Sequence, residues 1–308
     1  MCRAAHPHGD VAPLTRFADP TRVAQNGQAE TVRVATWNVQ GRVGDWQDRH
    51  AAIVAVLDDL DPDVVALQES WVTSDGGTQA EQMAAELGWH AVTAADLAGF
   101  DRYPQAPYWV VNAVLSRWPL EVEMARPLRD ERGDATWRHA LLARVLRPDA
   151  EGGPFLVAGT HLEHGLDRSA TRMAQARHLA ACVAEALGDR AARTRALPAV
   201  LAGDLNAVPW SDEVRGLTGA SVPLVDDVVF VDAWEAAGQT GRGDTWSSAN
   251  PLVPKRAVYP DRRLDYVMVS WPRRRNSGHV AACHLAGTEP VDGVWPSDHF
   301  AVVTDVDM

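Results

Sequence analysis

Five clusters in this 308-residue chain carry side chains able to hold a cation, move a proton or grip a phosphate. They are Asn38, Gln68-Glu69, His161, Asp204-Leu205-Asn206, and the closing set of Asp265 with Asp298-His299. Each stands where an apolar, strand-like run gives way to polar residues, which places it at a sheet edge open to ligands. One polar strand end is ordinary. Five that combine carboxylate, amide and imidazole point to a shared site. Carboxylates and amides without thiolates favour a hard, oxygen-ligated cation such as Mg²⁺, with Mn²⁺ as its substitute. Asp204 and Asn206 stand two apart, so on an extended segment both face one ligand; the competing reading is an Asx turn or the cap of a helix near Ser211. His161 and His164 also suggest a zinc pair. Zinc pairs on helices stand four apart, whereas these stand three apart after a strand, so zinc ranks behind.

The elements that must position these groups follow from hydrophobic period. Strands are expected at 31–38, 64–69, near 90–93, and at 109–116, 120–124, 138–145, 155–161, 198–204, 263–270 and 299–305. Helices are expected at 48–60, stopped by Asp61-Pro62, at 79–87, and at 168–187, the longest. Several strands succeed one another without a helix between them. That argues against a doubly wound parallel sheet and for an α+β fold of two packed, mostly antiparallel sheets with helices outside. No Gly/Ser-rich linker splits the chain, so residues 31–308 read as one domain and residues 1–30 as a flexible N-terminal arm.

Composition sets the outer limits. With 41 acidic and 29 basic residues the formal charge is −12, against a polybasic binder of nucleic acid. Cys2, Cys182 and Cys283 form neither a disulfide framework nor a CxxC knuckle and read as reduced thiols. No apolar leader or membrane-length segment is evident, so the expected location is cytoplasmic, without integral membrane association.

Six short motifs then fall in order: Thr36-Trp-Asn-Val39, Leu67-Gln-Glu69, Gly159-Thr-His-Leu162, Gly203-Asp-Leu-Asn206, Arg263-Leu-Asp-Tyr266 and Ser297-Asp-His299. In order and spacing the chain resembles the endonuclease/exonuclease/phosphatase superfamily, the DNase-I-like proteins, from about residue 31 to its end. The resemblance implies a four-layer α/β-sandwich and hydrolysis of a phosphate ester through in-line attack of water. By the same resemblance Asn38, Glu69 and Asp298 look like metal ligands. Asp204 looks like the group that directs water, and Asn206 and His161 like contacts to phosphate. His299, backed by Asp265, looks like the second histidine.

Arg117 and Arg138 sit where relatives often carry arginine, and are candidates to steady the carboxylates or bind substrate phosphate. Val111-Asn112 and His139 depart from common relatives and put bulk near the cleft. Of the 12 tryptophans, Trp37 reads as core. Trp210, Trp246 and Trp295 fall in or near site loops, where they could stack a base or cover a lipid or sugar; Trp246 is the candidate for lining the cleft. The acidic balance favours a phosphodiesterase or phosphatase acting on a small molecule or lipid headgroup over the alternative, a DNA or RNA nuclease. A catalytically silent binding module should have lost Glu69, Asp204 or His299, and all three are present.

Overall fold

The computed structural model describes residues 31–73, 76–94, 110–255, 258 and 261–308; the expected arm, 1–30, lies outside the described residues. In chain order the elements are β1 (Thr31–Asn38), α1 (Trp46–Leu60), β2 (Val64–Trp71), α2 (Gln79–Leu87), β3 (His90–Thr93), β4 (Val110–Ser116), β5 (Leu120–Arg129), β6 (Ala135–Val145) and β7 (Phe155–His161). They continue with α3 (Ser169–Leu187), α4 (Arg190–Arg193), β8 (Val200–Asp204), α5 (Asp212–Thr218), β9 (Val229–Asp232), α6 (Ala233–Ala236), β10 (Trp246–Ser247), β11 (Asp261–Arg262), β12 (Asp265–Trp271), β13 (His279–Ala286) and β14 (Ala301–Asp307).

Two six-stranded sheets form, in the orders β13-β14-β1-β2-β4-β3 and β5-β6-β7-β8-β12-β9. Each is antiparallel except for its central pair, β1 with β2 and β7 with β8. A parallel neighbour needs a crossover, here supplied by α1 and α3. The crossover has a functional consequence: both strands of each central pair end at the same edge. Asn38 therefore lies opposite Gln68, and His161 opposite Asp204.

The strands alternate between two apolar environments. Val34, Val64, Ala66 and Val114 of one sheet meet Leu141, Val157, Val200 and Val267 of the other between the sheets. Ala35, Leu67 and Val303 face outward onto Ile53 and Leu57 of α1 and Met83 of α2. On the far side Leu156, Leu201 and Met268 meet Leu179 and Val183 of α3 and Leu217 of α5. The result is four layers, helix, sheet, sheet, helix, with each buried Val or Leu contributing roughly 1.5–3 kcal/mol. Local signals fix the helix ends: Thr78 and Glu81 cap α2 reciprocally, and left-handed Asp61 closes α1 just before Pro62.

The structure extends the expected elements where apolar runs are weak. β5 runs five residues past Met124 as a mostly exposed edge strand with irregular register after Val122 and Pro127. β9 and β13 were not expected; each is an edge strand, with one face toward solvent. Cys182 and Cys283 are buried and outside any disulfide. Among the described residues no helix is long and apolar enough to cross a membrane.

Candidate active site

The four central strands deliver their polar ends to one spot between the sheets. Asn38 Nδ2 lies 3.2 Å from Glu69 Oε1 and 3.2 Å from Asp204 Oδ2, so one amide donates to carboxylates from both sheets. His161 is buried between the same two, its Nε2 3.4 Å from Asp204 Oδ2 and its Nδ1 4.0 Å from Glu69 Oε1.

Glu69 reaches the site through a bulge. Between Leu67 and Ser70 strand β2 carries one residue more than β4, and Glu69 adopts a left-handed backbone with φ 58°. A bulge re-aims a side chain off the strand's alternation. Asn206 is also left-handed, φ 49°; its N–H donates to Asp204 Oδ1 at 2.8 Å and its Nδ2 to Leu162 O at 3.1 Å. The two residues are thus joined by an Asx turn, not set side by side on an extended strand as the spacing suggested. A Cβ at Gly203 would overlap Thr160 O, so the close approach of β7 and β8 beside Asp204 requires glycine.

The second half of the centre is an imidazole backed by a carboxylate. His299 Nδ1 lies 2.9 Å from Asp265 Oδ2, and Asp265 is directly opposite Asp204 in the β8–β12 register. Burial works against the His299 imidazolium, but Asp265, Asp298 and Asp204 outweigh it and hold its pKa well above the usual histidine range. His161 goes the other way: burial first, then Arg138 and His299, push it well below that range, so it is neutral. Burial and the facing Asp265 raise Asp204 to about 7. Burial, reinforced by the charge of Asp298, raises Glu69.

Two places could hold a cation. Asp204, Asp265 and His299 offer ligand atoms within 4.8 Å of one another, and Asp265 Oδ1 is buried without a hydrogen-bond partner. That group already contains the His299 imidazolium. Glu69 and Asp298 are acids of like charge with no imidazolium of their own, so the donor chemistry there fits a divalent ion better. Asn38, expected as an oxygen ligand, is turned otherwise: its Oδ1 accepts from Gln40 N–H at 3.0 Å and its NH₂ faces the carboxylates.

The remaining candidates separate. Arg138 is buried, its guanidinium 3.8 Å over the Trp137 ring, and shares a narrow cleft with Glu69, Asn112, His139 and His161. Its Nε and Nη1 have no hydrogen-bond partner, and burial lowers its pKa to about 10 against the pull of Asp204 and Glu69. Trp246 neighbours His299 through a β-bridge, with Arg262 5.1 Å over its ring. Arg117 does not join the cluster. Ser116 pairs with Val64, the first residue of β2, so Arg117 stands at the opposite sheet edge with Asp61 and the Pro62 carbonyl. His164 is largely exposed beside Glu163, and does not form a metal pair with buried His161.

The structure also shows a layer that the sequence did not announce. Trp37 Nε1 donates to His299 O at 2.8 Å, and Ser297 Oγ donates to Asn38 O at 2.6 Å. Tyr266 OH pins Ala207 O at 2.7 Å, just past Asn206. Arg49, buried in α1, donates to the carbonyls of Val39, Gln40, Gly41, Val43 and Pro296, clamping the loop after Asn38 to the loop before Asp298. Nothing but a basic residue on an otherwise apolar helix face marked it. We expect Arg49→Met to cost about 3–5 kcal/mol in urea denaturation, because several buried carbonyls lose their donor at once. A loss below 1 kcal/mol would show that the clamp is dispensable.

A helix–sheet–sheet–helix sandwich whose central strands converge on carboxylates, an amide and two histidines of opposite protonation defines the class of phosphate-ester hydrolases. The family model described as the Endonuclease/Exonuclease/phosphatase family matches residues 35–299, and the chain belongs to that family. Among solved structures it is similar to TDP2 from Caenorhabditis elegans, with 22% identity, TM-score 0.66, and 90% of this chain and 75% of that one covered. It is also similar to TDP2 from D. rerio complexed with a single-strand DNA product, at 20% identity and TM-score 0.66, over 90% of this chain and 99% of that one. An endonuclease/exonuclease/phosphatase from Bacteroides vulgatus matches at 21% identity and TM-score 0.64, covering 90% and 99%. No curated protein sequence matches the chain.

Proposed function

We propose that the protein is a Mg²⁺-dependent phosphoesterase, cleaving a phosphodiester or phosphomonoester of a small molecule or lipid headgroup by in-line attack of water. The observation that carries this reading is Arg138, a buried cation that lines the same cleft as Glu69 and His161 and has two donor nitrogens without a hydrogen-bond partner. Its Nη2 reaches His164 Nδ1 at 3.5 Å, but a buried guanidinium with two donor nitrogens unpaired is costly, and a phosphate oxyanion is a partner that fits them. Glu69 and Asp298 would hold the divalent ion, which supplies positive charge for the phosphoryl oxygens and the leaving oxygen.

The chain's own groups do the rest. Asp204, raised to about 7, is poised as a base for water near neutral pH. His299, kept charged by Asp265, donates to a non-bridging oxygen, and neutral His161 donates its single N–H. Asn206 and Arg138 orient the phosphate.

The test is one panel in Mg²⁺ and in chelator: a phosphomonoester, a phosphodiester, plasmid, abasic duplex and a phospholipid. Turnover that survives chelation defeats the metal reading. The nuclease reading draws support from the single-strand DNA product in the D. rerio TDP2 structure; activity on plasmid that falls steeply with salt would select it. We further expect Arg138→Met to lower kcat/KM roughly 10- to 100-fold while its melting temperature holds or rises, because burial of this charge outweighs the attraction of Asp204 and Glu69. A variant that loses stability but keeps activity contradicts the assigned role.

A further inference from the structure

Beyond Asn206 the chain turns sharply, with Ser211 N–H bonded to Val208 O at 2.9 Å and the Ser211 side chain capping α5. This turn, anchored below by Tyr266 on Ala207, holds Trp210 out at 69% exposure. Across a groove of about 720 Å³ lies Leu166, 53% exposed, on the loop that leaves β7. Arg242, Asp261 and Arg262 form the other wall, and Asn206 lies at the inner end.

Two of the groove's lining residues connect it to the centre. Asn206 is hydrogen-bonded to Asp204, and Arg262 lies opposite Trp246, itself bridged to His299. A large flat ring and an aliphatic side chain left in water on a held loop cost free energy unless a ligand covers them. The facing wall is basic in character. Arg242, paired with Asp244 at 3.1 Å, keeps 63% of its side chain exposed, while Asp261 Oδ1 already accepts from Ser247 and Ser248. An acyl chain would lie against the charged Arg242 and Arg262 side, and a bare headgroup would leave Trp210 and Leu166 wet. A flat aromatic group beside a sugar phosphate matches both walls.

We propose that this groove is a nucleobase subsite, stacking on Trp210 the base carried by the phosphoester that the centre holds; the inference rests on the phosphoester reading above. A base stacked on an aromatic side chain gains about 5- to 150-fold in affinity. Its source is either a free nucleotide ester or the end of a strand.

The test is calorimetric binding with Mg²⁺ in the Asp204→Asn background, so that no ester is consumed, using AMP, ribose 5-phosphate and a 5′-phosphorylated trinucleotide. AMP should bind about tenfold or more tightly than ribose 5-phosphate. Adding Trp210→Ala should erase most of that ratio without weakening ribose 5-phosphate, and Trp210→Phe should preserve it. A trinucleotide much tighter than AMP assigns the subsite to a strand end, and equal affinities assign it to a free nucleotide ester. No preference for AMP, or a preference that survives Trp210→Ala, overturns the proposal. Hydrolysis in the substrate panel is read separately: base preference without hydrolysis rejects only the enzymatic reading, and hydrolysis without base preference rejects only the subsite.

Discussion

Asp204→Asn is expected to lower turnover at least about a thousandfold while the protein melts at the wild-type temperature or above it. The substitution keeps an oxygen to accept the Asn206 N–H and removes the charge proposed to direct water, an effect worth about 10²–10⁴ for a general base and more where the same group also positions the phosphate contacts. Stability moves the other way because Asp204 is buried opposite Asp265. Its folded pKa, about 7, lies above the unfolded value, so ionising it disfavours the native state. That penalty is absent below about pH 4, grows as pH rises, and is complete above about 7. In metal-free buffer the melting temperature of Asp204→Asn should therefore pull ahead of wild type between pH 5 and pH 8. Turnover within tenfold of wild type would remove Asp204 from the mechanism.

The centre was legible in the sequence because its strands are buried on both faces. β2, β7 and β8 read as nearly unbroken apolar runs and β1 as an alternating, β-branched one, and where each stops a polar side chain stands at the sheet edge. The central strands of a four-layer sandwich must look like this, whatever the substrate. The same logic explains what was missed. β9 and β13 are edge strands that bury half their residues or fewer, and β5 is more exposed still, so none carries a continuous signal.

Direction and re-aiming were hidden for a different reason. Arg117 ends an antiparallel strand, so it lands at the far edge of the sheet although its local motif resembles that of a site arginine. The bulge at Glu69 leaves no mark in a run of eight residues. Arg49, Ser297 and Tyr266 act on carbonyls distant in sequence, 247 residues away for Arg49 and Pro296. Hydrogen bonds of that range depend on the finished fold and have no local pattern. Trp37 illustrates the mixture: it is core, as read, and its one polar atom also fixes the backbone of His299.

Glu69→Gln is expected to separate the cation from the rest of the site. The amide is isosteric and can still accept from Asn38, so the geometry around Asp204 and His161 is kept. What disappears is one of two neighbouring acids whose repulsion, added to burial, raises Glu69. On the proposed reading Mg²⁺ relieves that repulsion in wild type, and binding only the native state at 100 times its dissociation constant stabilises by about 2.7 kcal/mol, roughly 4 °C in melting temperature. The variant should start more stable than wild type in chelator, gain little from Mg²⁺, and turn over at least about a thousandfold more slowly. Mn²⁺ should follow Mg²⁺ in both proteins, since oxygen donors accept either ion. If Glu69→Gln keeps the full Mg²⁺-induced shift, the ion belongs instead with Asp204, Asp265 and His299, and the orphaned Asp265 Oδ1 becomes its first ligand to test.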